Sequence, residues 1–175
     1  NNSCSFCVDT FHENLSGANG EGDWPYSLLE GNDFLPEVII GRMSIRNSVH
    51  LGIVVNKILN YEKAMDMNGG WYETASLIGD PYTSSGISVV ITNEYIEELM
   101  TTYGFTDINT NYNNVNSSYI ESQFNNGTLY INYRGIQGVS GFDPEDVMDD
   151  LNNYTKHPFA TFLTCDTGSF DSGQY

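Results

Sequence analysis

The sequence alternates between short apolar runs and longer segments whose apolar residues recur at helical spacing. Apolar runs of this length predict buried β-strands, and recurrences at three and four residues predict amphipathic helices. The predicted strands are residues 37–42, 74–79, 105–110, 128–133 and 159–164. The predicted helices are residues 48–65, 92–103 and 115–124, with another beginning at Asp143-Pro144. This alternation predicts an α/β fold, with a mainly parallel sheet and helices on both faces.

The first 35 residues lack this alternation and are rich in Gly, Asn and Asp, so we expect irregular loops there. Residues 36–175 form the predicted α/β core, and a chain of 175 residues is long enough for a single domain. The chain begins on Asn1 without a signal peptide and ends ten residues after Cys165. We therefore expect it to be part of a longer polypeptide with other domains.

Charge narrows the classes of partner. The chain has 23 acidic and 6 basic residues, a formal net charge of -17. Such a surface excludes binding to the phosphates of nucleic acids and disfavours anionic membranes. It would attract cations, calcium among them, or simply form a well-solvated acidic surface. No apolar run approaches the roughly 18 residues that a transmembrane helix needs.

Three cysteines are present, two of them as a Cys4-x-x-Cys7 pair. A zinc site would need two further ligands at a matching spacing, so a local disulfide or two free thiols is the expectation. Cys165 stands alone at the end of the last predicted strand. A lone cysteine there is either an inert core thiol or a nucleophile.

A carboxylate, a glycine-rich turn and a thiol follow the predicted strands at their carboxyl ends. Ligands of open α/β sheets bind beyond the carboxyl ends of the strands. Asp80 follows the second strand, the turn Arg134–Gly138 follows the fourth, and Cys165 ends the last. Backbone N–H groups of a glycine-rich turn can form an oxyanion hole.

A cysteine nucleophile also needs a base. His157 precedes Cys165 by eight residues, which in a strand is about 26 Å. His50 falls in the first turns of a predicted helix, and His12 lies in the irregular segment. None of the three histidines is therefore expected beside the thiol.

Four segments resemble, in order, the motif blocks of gingipain-like cysteine peptidases. The first block contains Asp23-Trp24-Pro25-Tyr26, an acidic turn at Leu29–Asp33, and Leu35-Pro36-Glu37-Val38-Ile39-Ile40-Gly41-Arg42. The others are Val55–Glu62, which ends in Tyr-Glu, Ile131-Asn132-Tyr133-Arg134-Gly135, and the strand Pro158–Cys165. Together the blocks cover most of residues 23–170.

The resemblance implies a caspase-like α/β sandwich and a cysteine endopeptidase acting on proteins or peptides. Cys165 matches the nucleophile, and Asp80 falls where the family has the acidic residue that orients the histidine. The loop Gly135-Ile136-Gln137-Gly138 would contribute to the oxyanion or substrate region. Family members bind structural calcium, for which Asp23, Asp33 and Glu37 are candidate ligands, and need no cofactor for catalysis. The resemblance also implies an extracellular or cell-surface bacterial protein.

Two positions depart from the family pattern. Ile136 occupies the position of the catalytic histidine in the pattern N-Y-x-G-H-G, and isoleucine cannot transfer a proton. The carboxylate that selects Arg or Lys falls near Val90, so that selectivity does not carry over. Two alternatives follow: an inactive family member that binds peptides or mediates surface adhesion, and a carbohydrate-binding or calcium-dependent structural domain.

Overall fold

The computed structural model describes residues 8, 10–15, 18–43, 45, 47–63, 68–80, 86–143, 147 and 151–165. These residues fall into two compact units, one ending at Asn47 and the other beginning at Ser48. Within these ranges no helix is both long and apolar enough to cross a bilayer. Cys4, Cys7 and residues 144–146 of the predicted helix start lie outside the described residues.

The first unit contains a β-hairpin that the sequence analysis missed. Strands β1 (Phe11–Leu15) and β2 (Ala18–Gly22) pair antiparallel, and a 3-10 turn follows at Trp24–Ser27. The prediction of purely irregular structure here was wrong. Main-chain hydrogen bonds build a hairpin ladder, and a polar, glycine-rich strand shows no apolar alternation that would reveal it.

The predicted buried strand at 37–42 was also wrong. These residues are not in a strand, and Ile39 is fully exposed. An apolar run becomes a strand only when another strand pairs with it, and this segment has no such partner among the described residues. It is anchored instead by Glu37, whose N–H donates to the Ser27 carbonyl (3.0 Å), and by Arg42, which binds Asp23.

The second unit is built on a parallel sheet of four strands. The strands are β3 (Thr74–Gly79), β4 (Asp107–Asn111), β5 (Tyr130–Gln137) and β6 (Phe159–Cys165), in the order β4-β3-β5-β6. All three pairings are parallel, as the sequence predicts. The four predicted strands between residues 74 and 164 are thus confirmed, and β5 continues four residues further than expected.

Three helices accompany the sheet: α1 (Ser48–Glu62), α2 (Gly86–Thr102) and α3 (Ser117–Asn126). Helix α2 begins six residues earlier than its apolar spacing indicates. Helix α3 has clear local signals at both ends. The Asn116 side chain accepts a hydrogen bond from the Tyr119 N–H (2.9 Å), and Gly127 closes the helix with a φ of 83°.

Helices cover both faces of the sheet. Asn132 of β5 bonds to Asn93 of α2, which places its side chain on the α2 face. The neighbouring residues Ile131 and Tyr133 point to the opposite face, because side chains alternate along a strand. There they join a core that includes Ile120 of α3. The fold predicted from the sequence is therefore confirmed.

Burial differs sharply between the strands. In β3 every residue after Thr74 is buried, as expected for a strand covered on both faces. No residue of β6 is buried, because β6 is the edge strand of the described sheet. Helix α1 also has no buried residue.

Candidate active site

The carboxyl ends of three neighbouring strands place the predicted site residues along one edge of the sheet. Asp80 follows β3, Gly135–Gln137 end β5, and Cys165 ends β6 in register with Gln137. Asp80 and Cys165 are separated by β5, hence by two strand spacings, or roughly 10 Å. The Cys165 thiol is free and exposed at the surface. It is therefore reachable from solvent rather than sealed in the core.

Hydrogen bonds fasten the end of β6 to the glycine turn. The Gly138 N–H donates to the Cys165 carbonyl (2.7 Å), and the Thr164 hydroxyl donates to the Gly138 carbonyl (2.8 Å). A register shift between Arg134 and Gln137 accompanies this contact. Because the Gly138 N–H is already bonded, it is not available as an oxyanion donor in this arrangement.

The turn itself is closely packed. A Cβ on Gly135 would lie 2.9 Å from Cε1 of Tyr133 and 2.9 Å from the Thr164 hydroxyl oxygen. Only glycine fits that position without displacing a neighbour. Gly138 has a φ of 63°, a backbone conformation that also favours glycine.

Asp80 and Ile136 have contrasting environments. Asp80 is buried, and its backbone N–H donates to the Arg134 carbonyl (3.0 Å), so it is held beside β5. Ile136 lies at the end of β5, the strand between Asp80 and Cys165, and 47% of its surface is exposed. The position that the resemblance assigns to a histidine is thus located between the carboxylate and the thiol, and an apolar side chain occupies it.

Among the described residues, His157 and Tyr112 carry groups that can accept a proton, but neither is suited to act as the base for Cys165. His157 precedes the first residue of β6, at the opposite end of the strand from Cys165. Burial, and then the positive charge of Lys57, hold its pKa below the ordinary value. Tyr112, directly after β4, has a pKa raised to about 12 by burial and by the charges of Glu97 and Glu94. Its phenol is therefore protonated at neutral pH.

Arg134 contributes the positive charge nearest the glycine turn in sequence. Its Nη1 donates to the Leu163 carbonyl (2.9 Å) and to the Gly135 carbonyl. The guanidinium thus ties the ends of β5 and β6 together, two residues before the thiol.

The carboxylates proposed for calcium do not converge. Both Asp23 oxygens bind Arg42, at 2.6 Å to Nε and 2.7 Å to Nη2, and this pairing holds the Asp23 pKa below its usual value. Glu37 accepts the Leu29 N–H (2.7 Å), which lowers its pKa, and Asp33 accepts the Leu35 N–H (2.9 Å). Across the described ranges, no group of three or more His, Cys, Asp or Glu side chains could hold a metal ion. These residues as placed do not fit a shared calcium site, and calcium binding stays a prediction.

The two side chains that fasten the turn have no role predicted from the sequence. The Tyr133 hydroxyl accepts the Ser140 backbone N–H, and the Thr164 hydroxyl donates to the Gly138 carbonyl. Tyr133 stands two residues before Gly135 in the third motif block, and that spacing was the available signal.

A free thiol at the end of β6, a glycine turn beside it and a buried carboxylate one strand further thus lie along one edge of a parallel sheet. The model of peptidase family C25 matches residues 7–174. The chain belongs to this family, the gingipain-like cysteine peptidases.

Among curated relatives, Gingipain R2 of Porphyromonas gingivalis is 30% identical over 160 residues, covering 86% of this chain and 22% of the relative. Lys-gingipain W83 of the same species is 27% identical over 166 residues, covering 85% of this chain and 9% of the relative. The crystal structure of the Arg-specific cysteine proteinase gingipain R superposes with a TM-score of 0.72 at 29% identity. That match covers 86% of this chain and 37% of the solved chain. The chain therefore spans about a fifth or less of these curated relatives.

Proposed function

We propose that Cys165 is the nucleophile of a cysteine endopeptidase and that this chain carries part of its active site. The observation that carries the proposal is the exposed, free thiol of Cys165 at the end of β6. The backbone carbonyl of the same residue accepts the N–H of Gly138 in the glycine turn. Family membership supports a protein or peptide substrate. Asp80, buried and one strand beyond the turn, is proposed to orient the base.

The proposed reaction proceeds in two steps. The sulfur of Cys165 forms a bond to the scissile carbonyl carbon, the C–N bond breaks, and the amine leaves with a proton. Water then hydrolyses the thioester and restores the thiol. Ile136 can neither take the thiol proton nor give it to the amine, so another part of the polypeptide has to supply the base.

Alkylation and turnover test this proposal together. Iodoacetamide at neutral pH should modify Cys165 faster than it modifies a model thiol, as judged by peptide mapping. A peptide library should be cleaved by the wild-type chain within its full polypeptide and not by Cys165→Ala. If Cys165 reacts no faster than the model thiol and no peptide is cleaved, the endopeptidase proposal fails.

Ile136 supports a second candidate, an inactive family member that binds peptides or mediates adhesion. Its exposed side chain stands where the family pattern places a proton-transfer group. Replacement Ile136→His restores that group between Asp80 and Cys165, and Ile136→Gln is the matched polar control. If the missing base is the defect, Ile136→His should raise Cys165-dependent cleavage or alkylation at least about 100-fold, the lower end of the range of general base catalysis. An equal response to both variants would contradict this explanation.

The wider context of the site is proposed as well. Helix α1 exposes apolar side chains, including Val49 and Ile53, which fits coverage by other domains of the same polypeptide. An extracellular or cell-surface location is proposed from the resemblance to the gingipains. We also propose a structural calcium ion, with carbonyl oxygens as most of its ligands. Calorimetry tests whether the protein binds calcium.

A further inference from the structure

A buried phenol, that of Tyr133, bonds to the turn beside Cys165. Tyr133 is fully buried, and its hydroxyl accepts the Ser140 N–H at 2.7 Å. Ser140 is itself buried, so this N–H would otherwise lack access to water. The phenol oxygen therefore bonds to a residue that lies just beyond the glycine turn.

The ring of Tyr133 reaches that position by crossing Gly135. The hydroxyl oxygen is 3.1 Å from the place that a Cβ on Gly135 would occupy. Aromatic neighbours fix the ring on its other sides: Phe142 with a centroid distance of 5.8 Å and Phe162 with 5.9 Å. A ring packed in this way has one direction in which its hydroxyl can point.

The bond to Ser140 is linked to the nucleophile through a short path. Ser140 lies two residues after Gly138, and Gly138 bonds both to the Cys165 carbonyl and to the Thr164 hydroxyl. Displacing the turn at Ser140 would therefore move the group that bonds to the Cys165 backbone.

We infer that Tyr133 is a positioning residue for the Cys165 site: it holds the turn Gly135–Ser140 against the end of β6. The glycine at position 135 is required because the ring passes over it. This inference rests on the proposed function for its catalytic meaning, but its structural step can be measured without any peptide hydrolysis.

The replacement Tyr133→Phe tests it, because the ring and its packing remain and only the phenol oxygen is lost. The matched control is Tyr130→Phe, on the same strand, whose hydroxyl bonds to Thr161 (2.8 Å) on the other face of the sheet. Loss of a buried hydrogen bond should accelerate amide exchange of Ser140 about 10- to 100-fold in Tyr133→Phe. Exchange at Leu77, in the buried strand β3, should stay unchanged in that variant.

Alkylation of Cys165 gives the readout that a purely structural role would not move. Its rate should change at least about 3-fold in Tyr133→Phe and stay within error in Tyr130→Phe. In Gly135→Ala the added methyl group would lie 2.9 Å from Cε1 of Tyr133 and displace the ring. This variant should therefore show the same changes in Ser140 exchange and Cys165 alkylation as Tyr133→Phe. Equal acceleration of Ser140 and Leu77, or an unchanged Ser140 amide, would overturn the inference. A full polypeptide that cleaves no peptide and whose Cys165 reacts no faster than a model thiol would refute the endopeptidase proposal. The exchange rate of the Ser140 amide would still test the positioning role of Tyr133.

Discussion

The hydrogen bonds between α2 and the sheet allow the free energy lost on their removal to be predicted. Asn132 is 1% exposed, and its amide group donates to Asn93 Oδ1 (2.8 Å) and accepts from the Thr161 hydroxyl (2.7 Å). Asn93 in turn donates to the Ile78 carbonyl (3.1 Å). One side chain thus bonds to groups on both α2 and β6.

The variant Asn132→Leu keeps the number of side-chain heavy atoms and the branch at Cγ, and it removes both bonds. It leaves the buried Asn93 oxygen without this partner, which costs about 1–3 kcal/mol, whereas the Thr161 hydroxyl keeps its hydrogen bond to the Tyr130 hydroxyl. We therefore expect the free energy of unfolding of the second unit to fall by about 1–3 kcal/mol. Asn113→Leu, at an exposed position, is the matched control and should change it by less than about 0.5 kcal/mol.

Urea unfolding followed by tryptophan fluorescence measures this loss. Trp71 is 6% exposed and directly precedes β3, whereas Trp24 is 49% exposed in the first unit. A Trp24→Phe background therefore makes the signal specific for the second unit. Combining Asn132→Leu with Asn93→Leu should show a coupling energy above about 0.5 kcal/mol, since the two side chains are in contact. A loss below about 1 kcal/mol, or strict additivity, would refute the reasoning.

Two further predictions follow from close packing and from charge. Gly79→Ala should destabilise the second unit by about 1–3 kcal/mol, because its Cβ would lie 2.7 Å from Val89 and 2.9 Å from Tyr112. Gly52→Ala, in α1 with open space around it, should instead stabilise by about 0.5–1 kcal/mol, and thermal unfolding of both variants checks the opposite signs. Asp23 should titrate below its ordinary pKa of 3.8 because Arg42 bonds to the ionised carboxylate. A lowered folded-state pKa means that the pair stabilises the fold above about pH 4 and ceases to do so as pH falls through that pKa. NMR titration should show the Asp23 midpoint rising in Arg42→Met, and an unchanged midpoint would contradict the assigned cause.

Local patterns were sufficient to identify the strands and helices of the second unit, but they missed the start of α2 and the end of β5. The run Thr74–Gly79 is apolar and short, and it is the fully covered strand β3. Asn116 and Gly127 mark the two ends of α3, because capping depends only on neighbouring backbone groups. The alternation of these elements implied parallel pairing, and parallel pairing placed Asp80, Gly135 and Cys165 at one edge.

Local patterns failed where pairing partners decide the structure. The apolar run 37–42 resembles a strand in composition, yet the described residues offer it no partner, and the polar hairpin β1–β2 forms without an apolar signal. The carboxylates of Asp23, Asp33 and Glu37 looked equivalent as ligands in the sequence. The tertiary structure gives each of them a different partner. Asp23 binds Arg42, which lies nineteen residues further along the chain.

The sequence by itself determined the fold class, the edge of the sheet at which the thiol lies, and the absence of a histidine at position 136. These follow from periodicity and residue identity, which are local properties. Only the tertiary structure decided that Tyr133 crosses Gly135 to reach Ser140, that Gly138 bonds to the Cys165 carbonyl, and that Cys165 is exposed. Such contacts join residues whose separation in space depends on how strands and turns pack, and no local pattern encodes that distance.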